Sequence, residues 1–158
     1  MITPKELKAR YPYQFDGQNI GLSFYKGWMP LFAKLCADID TELGANKRNF
    51  HWSQLKEKFG AARFYSQMDP SYERNEYDNE IDERNSRLAD PNEVTLRQRI
   101  QKLRMDAESL TQSKCCVCGE PGEVDKSQGW ILVVCDEHAR QRKLGTMETP
   151  WFELDNQS

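Results

Sequence analysis

The stretch that decides how this chain folds is Cys115-Cys116-Val117-Cys118-Gly119, continued by Trp130-Ile131-Leu132-Val133-Val134 and Cys135-Asp136-Glu137-His138. With Cys116 set aside, the spacing is C-x2-C, sixteen intervening residues, then C-x2-H. Each pair of soft ligands spans one edge of a tetrahedron, and a hairpin between the pairs brings them together, which is what zinc requires. The spacing predicts a knuckle at Cys115 and Cys118 closed by Gly119. It further predicts a hairpin from Val124 and Trp130 to Val134, with residues 125–129 at its tip. Cys135 then ends the second strand, and His138 falls in the first turn of a helix running to about Leu144. Asp136 and Glu137 suit the positive start of that helix, Arg140, Arg142 and Lys143 its negative end, and Gly145 the stop beyond it. Knuckle, hairpin and ligand-bearing helix together describe a treble-clef-like zinc finger. Cys115, Cys118, Cys135 and His138 fill the coordination shell, so one structural Zn2+ per chain is expected. Five cysteines is an odd number and no segment resembles a signal peptide, so a disulfide framework is set aside. Cys116 is read as a bystander that points away from the metal or substitutes for Cys115.

Outward from this module, 158 residues suit one domain carrying a small metal-stapled appendage. The chain is expected to divide into a body at 1–112, the zinc module at 113–145 and an acidic tail at 146–158. Hydrophobic residues make up only 38% and charged ones 30%, which implies a modest core. No apolar run reaches membrane-spanning length, so no membrane partner is expected and the location is read as cytoplasmic. The net charge of −3 is blocky. Residues 1–70 carry ten basic against seven acidic side chains, and residues 71–93 carry three against eight. Residues 94–114 return to five against two, and residues 115–158 carry four against eight. An acidic zinc module is poorly suited to gripping phosphate.

Within the body, Thr3 and Pro4 predict a short helix to Arg10. The aromatic run through Tyr11, Tyr13, Phe15, Phe24 and Tyr25 is read as extended chain lining the core. Gly27-Trp28-Met29-Pro30 opens a helix that Gly44 ends, with Phe32, Leu35, Cys36, Ile39 and Leu43 as its apolar stripe. Residues 49–67 change to a period of two, with a turn within Lys56 to Gly60, and predict a β-hairpin that lies on this helix. His51 is read as a strand residue with no acid–base partner. The acidic segment 69–93 is an insertion of low apolar content. A second long helix, capped near Asn92 and striped by Leu96, Ile100, Leu103, Ala107 and Leu110, leads from the body into the zinc module. The knot Trp151-Phe152-Glu153-Leu154 is expected to fold back on the body. The fold class is therefore α+β.

Taken together, Gly27-Trp28 before a helix, Gln54-Leu55-Lys56-Glu57-Lys58-Phe59-Gly60 before Arg63-Phe64-Tyr65, the knuckle Cys115 to Gly122, Gly129-Trp130 and Cys135 to His138 resemble a widespread, functionally uncharacterised family of small bacterial and bacteriophage proteins. The resemblance spans residues 27–65 and 107–139. It implies a zinc site and a phage or mobile-element setting, and it implies no activity.

Three function classes follow. An enzyme lacks any phosphate-binding loop, dinucleotide fingerprint or nucleophile elbow here. An HNH-like nuclease on a treble-clef scaffold would have to recruit His51, because His138 is committed to the metal. A nucleic-acid accessory protein would use the basic hairpin 47–65, with Lys56, Lys58 and Arg63, and the helix 94–112. The expected class is a non-enzymatic zinc-binding protein that docks a host macromolecule, in the first instance a protein, as an inhibitor of a host defence system. In that reading Glu73, Glu76, Glu80 and Glu83 join the contact surface.

Overall fold

The computed structural model describes residues 1–18, 20–69 and 95–153. The acidic insertion lies almost wholly outside the described residues, as do Glu73, Glu76, Glu80, Glu83, Asn92 and Leu154.

Helix α1 (Pro4–Arg10) starts as its residues require: the Thr3 hydroxyl accepts from the Glu6 amide, and the Glu6 carboxylate accepts from the Thr3 amide. The chain then departs from the expected extended run. Pro12–Phe15 forms a 3-10 turn, and Leu22–Ser23 forms strand β1. A second 3-10 turn at Lys26–Trp28 feeds helix α2 (Met29–Leu43), which ends at Gly44 with a positive φ of 63°. All five predicted stripe residues of α2 are buried.

The hairpin is β2 (His51–Lys58) and β3 (Ala61–Gln67), joined by Phe59-Gly60. Both turn residues have positive φ, 52° and 80°, as a two-residue type I′ connection demands. β1 pairs parallel to β2, with Leu22 opposite Leu55, and β3 lies antiparallel on the other side. Leu22, Leu55, Trp52 and Phe64 face α2, where Phe32 meets Trp52 and Phe64 ring to ring at 5.2 and 5.0 Å.

Helix α3 (Leu96–Thr111) begins at Thr95, whose hydroxyl and backbone amide complete a capping box with Gln98. It packs along α2 and covers the free edge of β3. The Ala62 amide donates to Thr111 Oγ1 and the Phe64 amide to the Glu108 carboxylate, so side chains complete a ladder that would otherwise be open. Of the predicted stripe, Ile100 and Ala107 are buried and Leu96 and Leu103 partly so. Leu110 is not part of it: its side chain is 49% exposed. The helix turns that position outward at the point where Thr111 takes over the contact with β3.

The C-terminal hairpin is β4 (Glu123–Asp125) with β5 (Leu132–Val134), followed by helix α4 (Asp136–Leu144) and Gly145 in the left-handed region. Trp130 was expected to open the second strand. It lies before β5 instead, 61% exposed, with its indole N–H donating to the Tyr25 hydroxyl at 2.9 Å. The tail does return to the body: Pro150 accepts from the Lys26 amide, and the rings of Trp151 and Phe152 sit 4.6 and 5.8 Å from those of Tyr25 and Phe24. No helix among the described residues is long and apolar enough to cross a membrane.

Candidate metal centre

Backbone geometry builds the site before any metal enters. The knuckle closes when the Gly119 amide donates to the Cys115 carbonyl at 2.9 Å, and the Cys115 amide donates to Glu120 O at 2.7 Å. Gly119 has a φ of 78°, which any residue with a Cβ would resist. Cys135 occupies the N-cap of α4, and His138 follows one turn later on the same side.

These elements bring Cys115, Cys118, Cys135 and His138 together, with all four ligand atoms within 4.8 Å of one another. Bonds of about 2.3 Å to sulfur and about 2.0–2.1 Å to nitrogen imply tetrahedral edges of about 3.8 Å between sulfurs and about 3.6 Å between sulfur and nitrogen. The Cys118 and Cys135 sulfurs are 3.8 Å apart, and the Cys115 sulfur is 3.5 Å from His138 Nδ1. The Cys135 sulfur is nearer to that nitrogen, at 3.1 Å. Two of these three edges match a tetrahedral ion, and Nδ1 is the imidazole atom turned to the sulfurs.

The thiols also disagree about protons in a way that a cation resolves. The Cys115 thiol is pulled down to about 3, first by a hydrogen bond from the Cys116 thiol and, against the upward push of burial, by the backbone amides of Cys118, Cys135 and Val117. Cys118 is pushed up to about 11, first by burial and then by its neighbours Cys115 and Cys135. Packed thiolates repel one another, and a divalent ion at the centre stabilises all three at once. Three sulfurs and one imidazole suit a thiophilic ion, and four protein donors make the site structural in kind. Cys116 is outside the cluster, fully buried, and its thiol is held in the protonated form by the same contact with Cys115.

Two groups that support the site carried weaker signals in the sequence. Arg142 stands four residues after His138 and so on the same face of α4. It donates to the backbone oxygens of Asp125 and Trp130, and its Nη1 lies 3.2 Å from Asp125 Oδ2, which pins the tip of the β4–β5 hairpin to the ligand helix. Gly27 is the other. A Cβ placed there would stand 2.3 Å from the Cys115 carbonyl oxygen, and its amide donates to Cys116 O at 2.9 Å. Trp28 adds a bond from its indole to Lys114 O, also at 2.9 Å. The Gly-Trp pair is thus the seat on which the knuckle rests.

The other predicted residues separate. Lys56, Lys58 and Arg63 all lie on the β2–β3 hairpin. His51 opens β2, and the other end of β2 leads into Gly60, where an added Cβ would stand 3.0 Å from Ile131 Cγ2 of the metal module. Seven strand steps of about 3.3 Å put about 23 Å between those ends. Of the basic residues read on or near the helix 94–112, Arg99 bonds Glu42 and Lys102 bonds Asp106. Lys47 is held by Asp40. No family model, curated protein or solved structure matches the chain, and its site is read from geometry.

Proposed function

We propose that the chain is a zinc-stapled binding protein with no chemistry of its own, and that it docks a protein of a bacterial host. The resemblance implies a phage or mobile-element setting, and within it inhibition of a host defence system is the role proposed. One observation carries the reading. At the junction of the hairpin and the metal module, Phe59 is 78% exposed and Trp130 61% exposed, and with Ile131, Gly129, Glu57 and Lys58 they line an open cleft of about 410 Å³. Phe59 is costly there on two counts: it exposes a large apolar ring, and it holds a φ of 52° in a turn that favours Asn or Gly. Folding alone does not call for an aromatic at that position, whereas a partner that buries it does. A filled tetrahedron gives a bound zinc ion no position for substrate, and the second histidine stands at the wrong end of β2, which supports a binding role over a nuclease.

Zinc-loaded protein immobilised against host lysate should retain a protein at stoichiometric level. Phe59→Asp with Trp130→Asp should weaken that retention by about 30-fold or more, the loss expected for a hot-spot pair, with zinc content unchanged. Reversal of Glu73, Glu76, Glu80 and Glu83 reports separately on the acidic block. Metal-dependent cleavage of DNA or RNA by purified protein, abolished in His51→Ala, would overturn the reading.

A further inference from the structure

The outer face of the β2–β3 hairpin presents a pattern that its fold does not require. The register places Lys56 directly opposite Arg63 and Gln54 opposite Tyr65, and the parallel pairing sets Ser23 beside Lys56. Lys58 follows Lys56 by two residues and so shares its face. Like charges directly opposite one another across strands are destabilising. No ion pair to Lys56, Lys58 or Arg63 occurs among the described residues; Arg63 Nη1 donates to the Ala62 carbonyl and Lys58 Nζ lies 5.6 Å from the Phe59 ring centroid, and neither contact neutralises the charge. The one carboxylate within β2, Glu57, belongs to the opposite face and accepts from the Gly60 amide. The face also holds an aromatic ring. Tyr65 is 43% exposed, with Lys56 Nζ 5.4 Å from its centroid.

We infer that this face, formed by Ser23, Gln54, Lys56, Lys58, Arg63 and Tyr65, binds single-stranded nucleic acid without reading its sequence. The three cations answer successive phosphates, and the Tyr65 ring offers a base a surface to stack on. The inner face of the hairpin is packed on the core and its β3 edge is covered by α3, so the hairpin is not a free ribbon able to enter a duplex groove, which favours an unpaired strand. An acidic protein segment would meet the cations but would leave the ring without a planar partner. Of the residues of this face only Lys58 also lines the Phe59–Trp130 cleft, so variants at Lys56, Arg63 and Tyr65 test this site independently of the proposed protein partner.

The test uses the zinc-loaded full chain and the fluorescence anisotropy of a labelled oligothymidylate of about twelve nucleotides. Three phosphate contacts predict that log K falls against log salt with a slope of about −2, and Lys56→Ala with Arg63→Ala should reduce it to about −0.7. Lys56→Glu with Arg63→Glu should weaken binding by more than about tenfold. Tyr65→Ala should weaken it by about 5- to 100-fold while Tyr65→Phe retains it, because the ring and not the hydroxyl does the stacking. Phe59→Asn, which adds no charge beside Lys58, should leave the affinity unchanged. Zinc content and far-ultraviolet circular dichroism confirm that each variant is folded. Absence of binding at low salt would overturn the inference, as would equal affinity for a duplex or affinity indifferent to Lys56, Arg63 and Tyr65. Polyglutamate displacing the oligonucleotide at equal charge would also overturn it, and would assign the face to an acidic protein.

Discussion

In the body, Phe24, Phe32, Trp52 and Phe64 meet ring to ring with centroids 5.0–6.3 Å apart, and every one of them is essentially removed from solvent. In the metal module, by contrast, α4 buries no residue, and the enclosed side chains are those of Cys115, Cys116, Val117 and Leu132 to Val134. Burial of a large apolar side chain contributes about 1.5–3 kcal/mol, so the body gathers its stability from area. The module has too little area for that, and an ion held by its four clustered donors would supply what area does not. Yet Cys115, Cys116, Val117, Leu132 and Val134 join the same core cluster as the body's aromatics. One apolar core is therefore held by two different devices, and the Gly27–Trp28 seat is where they meet.

The largest effect should come from removing the metal. Structural zinc contributes about 10–16 kcal/mol of apparent binding free energy. Chelation, Cys118→Ser or Cys135→Ser should therefore abolish amide-exchange protection over 115–144 and at Gly27, whose amide bonds Cys116. The β2–β3 ladder should keep its protection. Elemental analysis should find close to one zinc per wild-type chain and little in either variant, with Cys116→Ser retaining its zinc. Loss of protection throughout β2 and β3 on chelation would mean that the two devices act as one cooperative unit.

A smaller perturbation tests the seat itself. Gly27→Ala forces a methyl group against the Cys115 carbonyl, backbone against backbone, with no flexible side chain to give way. Overpacking of this kind should cost about 3 kcal/mol. The expected signature is a lowered denaturation midpoint with about one zinc per chain retained, since the four ligands are untouched. Loss of zinc in Gly27→Ala would instead mean that docking on the body is what shapes the knuckle.

Most of the fold that rests on local pattern was legible in the sequence. The stripe of α2, the period-two hairpin, the ligand spacing and the glycine stops each depend on neighbours a few residues apart. What escaped depends on distant partners. β1 is two residues long and exists because Leu22 meets Leu55. Gln14 is fully buried because its amide bonds Cys36 O and the Tyr13 hydroxyl and accepts from the Trp52 indole, and a lone Gln among aromatics gives no sign of that. Leu110 fits the helical period but turns to solvent, because the sheet edge beside it needs the hydroxyl of Thr111 more than another methyl group. The metal ligands were legible because coordination chemistry constrains their spacing. The role of the seat beneath them was not: Gly27-Trp28 stood out only as a helix opening and a shared motif, because a glycine that permits close approach looks like any other glycine.

The smallest expected effect separates the two regions by their response to acid. Asp40, on α2, accepts from Lys47 Nζ and from the Tyr13 hydroxyl, each at 2.7 Å. Lys47 first and Tyr13 second hold its carboxyl below the usual range. A carboxylate lowered in the folded state stabilises the fold above its unfolded value of about 3.9, and that contribution is lost as pH falls through the lower folded value. The side chain is 35% exposed, so solvent screening limits the contribution to about 1 kcal/mol or less. The metal module should give way earlier on acidification, because its ligands must be deprotonated to hold the ion. Amide exchange followed from neutral pH downward should therefore show α4 opening before α2. Asp40→Asn should flatten the pH dependence of α2 below about pH 4 and leave the opening of α4 where it was. An equal shift in both helices would show that acid, unlike chelation, finds no boundary between the aromatic body and the metal module.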